Sequence, residues 1–172
     1  MTNQTLTLYW KDIKYGIDQE TWKAAKVQMA GDANAEARND AQTGGNSFDV
    51  NYCRRKVEEG LMNLQNALHD FFVGYKSGTG KEATSAVEAT DNTLDQTSTV
   101  WQIELSLDDR RNVNEKLLAV EMNKYLVLNV CQEWAKMAMP AMVTQYMDRL
   151  LVEENRIKAI CYRKEAPDYA SI

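Results

Sequence analysis

His69 is the only histidine in the 172-residue chain, and Asp70 follows it directly. One imidazole within reach of a carboxylate can serve as a general base, but a second imidazole or a multi-histidine metal site is impossible within one chain. A helical di-iron centre places Glu three residues before His, and that position is Asn66. No nucleophile elbow supports a Ser/His/Asp arrangement either, so His69 reads as a helix-surface residue. Gly78-Thr79-Gly80-Lys81 has the look of a phosphate loop. That loop needs Gly at the position held by Tyr75, and a magnesium-binding hydroxyl where Glu82 stands. It should also follow a strand, and a helix is expected here instead. The tetrapeptide therefore reads as a loop.

The adjacent acids Glu58-Glu59 and Glu153-Glu154 diverge if helical, and are expected on solvated faces rather than as an acid–base pair. Cys53, Cys131 and Cys161 are three in number and far apart, which argues against a secreted disulfide framework and for small buried apolar residues. No catalytic, cofactor-binding or metal-binding residue emerges, and no cofactor is expected.

Totals narrow the field further. The net charge is −5 and the bases are spread among acids, so direct binding to a phosphate backbone is disfavoured. MTNQTLTLYWKD has neither a basic region nor a continuous apolar run, as a signal peptide would. The longest charge-free run, Met137 to Met147, is broken by Pro140 and far short of the roughly 20 residues a membrane span needs. A chain of this size buries about 70% of its surface on folding, enough for a core without staples. These features predict one soluble domain over 1–172, with no membrane and no small-molecule substrate in evidence.

The elements that would position such residues follow from periodicity. Leu6, Leu8 and Trp10 alternate with Thr5, Thr7 and Tyr9, the pattern of a half-buried strand. Asp18 is placed as the cap of a short helix through about Met29, with Trp22, Ala25 and Met29 on one face. Ser47 caps a first long helix to about Lys76, carrying Phe48, Tyr52, Leu61, Leu64, Leu68, Phe71, Phe72 and Tyr75. Trp101, Ile103, Leu105 and Leu107 alternate with polar residues and predict a strand, paired antiparallel with Leu6 to Trp10.

Asn112, with Glu115 three residues on, caps a second long helix. Its apolar residues, from Leu117 through Val130 to Trp134, cover more than one face, which predicts the central helix. Pro140 ends it and opens a third helix, on which Val143, Tyr146, Met147, Leu150, Leu151, Ile157 and Ile160 form a stripe. Glu154 interrupts that stripe and sits four residues before Lys158, and Pro167 closes the helix. Segments 31–46 and 77–98 hold few residues able to bury area and are expected to be flexible. The fold class is mainly α: three long helices packed as a bundle with a small antiparallel β element.

Met122, Met137, Met139, Met142 and Met147 crowd the last third beside Trp134 and Tyr146, as a core or a subunit interface would. The strand Ile103-Glu104-Leu105-Ser106-Leu107-Asp108-Asp109-Arg110, the Tyr125 to Trp134 helix and the closing Ile157-Lys158-Ala159-Ile160-Cys161-Tyr162-Arg163-Lys164 with Ala166-Pro167-Asp168 resemble a group of prophage proteins of gut anaerobes. The resemblance covers roughly the C-terminal 70 residues. It implies a non-enzymatic virion structural protein of the head–tail connector or tail-assembly kind. Such a part would be a homo-oligomer contacting other virion proteins, in the bacterial cytoplasm or the virion. The alternatives are a cytoplasmic helical adaptor that binds another protein through its last helices, and an enzyme whose site the sequence does not announce.

Overall fold

The computed structural model describes residues 2–28, 47–79, 99–107 and 113–163. The expected flexible stretch at 31–46, most of that at 77–98, and Pro167 lie outside the described residues.

Strand β1 (Thr2–Tyr9) pairs antiparallel with β3 (Thr99–Leu107), setting Leu6 opposite Ile103 and Leu8 opposite Trp101. Burial alternates along β3 as its sequence demands: Trp101, Ile103, Leu105 and Leu107 point inward, while Gln102, Glu104 and Ser106 are partly exposed. A third strand, β2 (Phe72–Thr79), occupies the other edge, giving the order β1-β3-β2.

This corrects the helix expected to run from Ser47 to Lys76. Helix α2 spans Ser47–Ala67, and a turn over residues 68–71 leads directly into β2. The Ser- and Gly-containing end of that segment is a poor helix former, and pairing with β3 satisfies its backbone. A β-bulge at Val73 sets Phe72 opposite Leu105 and Tyr75 opposite Ile103. Two aromatics three residues apart thus reach the same side of a strand, where their rings meet edge to face at 6.5 Å.

Helix α1 (Trp10–Gln28) starts at Trp10, eight residues before Asp18. Asp18 is no cap; it lies within the helix and accepts a 2.9 Å hydrogen bond from Lys14 one turn earlier. The buried face is Trp10, Ile13, Ile17, Thr21 and Ala24, at spacings of three and four, and Thr21 returns its hydroxyl to the Ile17 carbonyl. Trp22, the first residue of the expected Trp22–Ala25–Met29 stripe, stands off this face and is 46% exposed, and Met29 lies outside the described residues.

Helix α3 (Glu115–Ala138) is the central helix, packed against α1, α2, β1 and the last helix. Asn114 is its cap, accepting from the Leu117 N–H at 3.1 Å, in place of Asn112. Asn129, almost fully buried, donates to the Lys56 carbonyl of α2 at 2.8 Å. Pro140 opens a 3₁₀ turn (Pro140–Met142), after which α4 (Val143–Cys161) doubles back along α3. Among the described residues the protein is therefore mainly α, with four α-helices and a three-stranded antiparallel sheet rather than three long helices in a bundle with two strands.

Candidate functional site

The three cysteines are buried and outside any disulfide, and burial pushes the Cys131 thiol far above its ordinary value, as expected for core residues. His69 lies on the turn between α2 and β2 rather than on a helix, 77% exposed in its side chain, with Nε2 3.3 Å from Asp70 Oδ1. Asp70 also accepts from the Tyr162 hydroxyl at 2.9 Å, and the Tyr162 ring meets Phe71 edge to face at 4.7 Å. The His-Asp dipeptide thus sits where the end of α4 is tied to the turn, an anchoring arrangement. Gly78 and Thr79 belong to β2 itself, opposite Val100 and Thr99, so the segment does not follow a helix as expected. Gly80 and Lys81 lie outside the described residues.

Among the described residues, no three His, Cys, Asp or Glu side chains gather as a metal would require. No described helix is long and apolar enough to cross a membrane.

A groove of about 530 Å³ between α1, α3 and α4 gathers more charged side chains than any single element suggests. Its shape depends on Gly16, because a Cβ there would lie 2.6 Å from Val127 Cγ2. Across it Arg149 of α4 donates to Glu20 of α1 at 2.7 Å, with Lys23 3.8 Å from the same carboxylate. Burial alone would raise the Glu20 carboxyl, but the hydrogen bond and charge of Arg149, aided by Lys23, hold it below its ordinary value. Arg149 also lies over the ring of buried Tyr146, 5.7 Å from its centre.

At the groove's other side is Glu153 of α4. Of the adjacent acids Glu153-Glu154, both expected on solvated faces, the fold leaves one partly exposed and draws the other inward. Glu154 pairs with Lys158 at 2.6 Å, as its spacing suggests. Glu153 instead turns inward toward Glu121 of α3, and its side chain is only 12% exposed. Arg156 binds Glu153 at 2.9 Å and Lys124 binds Glu121 at 2.9 Å. Sequence reasoning missed Glu121; its one visible signal is an acid amid the apolar girth of α3. Three acids (Asp12, Glu20, Glu153) and three bases (Lys23, Lys124, Arg149) line the groove, and no Ser, Thr, Cys or His is among its lining residues.

The apolar residues of the last two helices are divided in the same way. Met122, Met139, Trp134 and Tyr146 are core, whereas Met137 (65% exposed), Met147 (52%) and Leu151 (60%) stand in solvent. Comparison of the chain with protein-family models, with curated proteins and with solved structures finds no match.

Proposed function

We propose that this protein is a non-enzymatic phage or prophage structural part, acting in head–tail connection or tail assembly, and that it works by associating with copies of itself. The observation that carries the proposal is the set of exposed apolar side chains on the α3–α4 hairpin. Met137 near the end of α3, and Met147 and Leu151 one turn apart on α4, leave three large apolar side chains more than half exposed. Unbranched methionine adapts to a facing surface at little cost, which suits a contact repeated between subunits. The resemblance of roughly the C-terminal 70 residues to prophage proteins supplies the assembly context. A helical adaptor would use the same face for a different protein.

Light scattering across protein concentrations separates the two. The structural part is expected to exceed the 19.6 kDa monomer mass as concentration rises. Leu151→Glu together with Met147→Glu should weaken that association at least about tenfold, a loss of roughly 1.4 kcal/mol. A mass fixed at the monomer value, in a gene neighbourhood without capsid, portal or tail genes, would leave the adaptor reading.

A further inference from the structure

On the buried stripe of α4, Tyr146 and Leu150 are followed by Ile157 and Cys161. Glu153 fills the step between Leu150 and Ile157, where an apolar residue would be expected. Facing it, Glu121 is 7% exposed on α3, and the two carboxyls lie within hydrogen-bonding reach of each other. One oxygen of each is accounted for: Glu121 Oε1 accepts from Lys124, and Glu153 Oε1 accepts from Arg156. The other oxygen of each, Oε2 in both cases, is buried without a donor among the described residues. Two ionised carboxylates cannot satisfy one another, since each is acceptor-only. Both Oε2 atoms are shut off from solvent, so a water or ligand amine does not reach them. A metal ion is disfavoured by the two cations already seated on the pair.

We infer that Glu121 and Glu153 share a single proton, held between the two Oε2 atoms, and that this proton is a pH-dependent clasp between α3 and α4. One O–H donates to the facing carboxylate, which satisfies both orphan oxygens and removes one of two like charges from a buried site. Charges around the clasp come from every neighbouring element: Lys124 on α3, Arg156 and Arg149 on α4, and Asp12, Glu20 and Lys23 on α1 across the groove that Glu153 lines. Burial, and next the neighbouring Glu121, raise the Glu153 carboxyl above its ordinary value. Burial would raise Glu121 too, but hydrogen bonds from Glu153 and Lys124 hold it below.

The sign follows from the direction. The folded chain keeps a proton that the unfolded chain has released. The clasp's stabilisation is thus complete below the ordinary carboxylate range and is lost as pH rises through the folded value of Glu153. Glu153→Gln replaces the shared proton by a permanent amide donor of nearly the same shape.

The test is thermal unfolding of the full chain from pH 4.5 to 8.5. Wild type and Glu153→Gln are expected to melt together at the acid end, with wild type falling about 2–4 °C below the variant as pH rises. Glu154→Gln, which makes the same change of charge at the neighbouring acid, should track wild type. Parallel wild-type and Glu153→Gln profiles, or the same divergence in Glu154→Gln, would overturn the clasp. Carbon-detected titration of the glutamate carboxyls in the wild-type protein gives a second readout that needs no variant. One carboxyl titrating above the ordinary range supports the shared proton, and all of them titrating within it refutes the idea.

Discussion

At the scale of single residues, the approach of one helix to another is set by what is missing at Gly16. Its absent Cβ leaves room for Val127, whose branched side chain is nearly buried and has few rotamers to retreat into. Gly16→Ala is expected to destabilise the protein by about 1–3 kcal/mol through overpacking. At Gly74 an added Cβ meets nothing within 4 Å, so Gly74→Ala should stay within about 0.5 kcal/mol. Urea unfolding midpoints of the two variants check the contrast. The Glu20–Arg149 bridge is the second prediction at this scale. Its lowered Glu20 carboxyl contributes stability that is present above the ordinary carboxylate value and is lost as pH falls through the folded value. With Arg149 43% exposed, solvent screening limits the pair to about 0.5–1 kcal/mol. Arg149→Met should lower stability by that amount at pH 7, with the difference vanishing in acid.

At the scale of elements, α4 is held to the molecule chiefly by one neighbour, α3. Four of its nineteen residues are buried, facing that neighbour's side of the molecule. Ile157, wholly buried, is one of the four, so Ile157→Ala should remove about 2–5 kcal/mol. Leu151 is as large and lies on the same helix, but 60% of it is in solvent. Leu151→Ala should change monomer stability by no more than about 0.5 kcal/mol. Equilibrium unfolding at low protein concentration tests the pair, and equal losses would mean that the outer face of α4 is packed. The sheet illustrates a different kind of element. β3 is paired on both sides and carries a clean alternation, whereas β2 is an edge strand whose bulge leaves Val73 57% exposed.

At the scale of the whole molecule, net charge and exposed apolar area act against each other. With 25 acids and 20 bases, copies of the chain repel at long range, while Met137, Met147 and Leu151 offer a short-range gain on contact. Screening weakens the first and leaves the second in place. Self-association through the hairpin should therefore strengthen between 0.05 and 0.5 M salt, on the order of a threefold fall in Debye length. Sedimentation at fixed protein concentration measures this. Association that weakens with salt would point instead to contacts between opposite charges.

How much of this was legible in the sequence differs by element. The inward row of β3, its pairing with β1, the encircling apolar surface of α3 and the break at Pro140 could all be read from residue order, because each is a local periodicity or a backbone restriction. Phe72 and Tyr75 could not be placed that way. A three-residue spacing belongs to a helix unless a bulge shifts the register, and the open edge of β3 that makes the bulged strand worthwhile is distant in sequence. Trp22 was misjudged because α1 begins eight residues before Asp18 and buries a different face. Glu121 and Glu153 are 32 positions apart and read as ordinary helical acids. Only the packing of α4 on α3 brings their carboxyls together and leaves an oxygen of each without a donor among the described residues. The chain order determined which residues need burial, since apolar pattern is a property of neighbours along one strand or helix. The tertiary structure decided which surfaces meet, because a strand edge, a glycine notch and a buried acid acquire their energies only from the partner set against them.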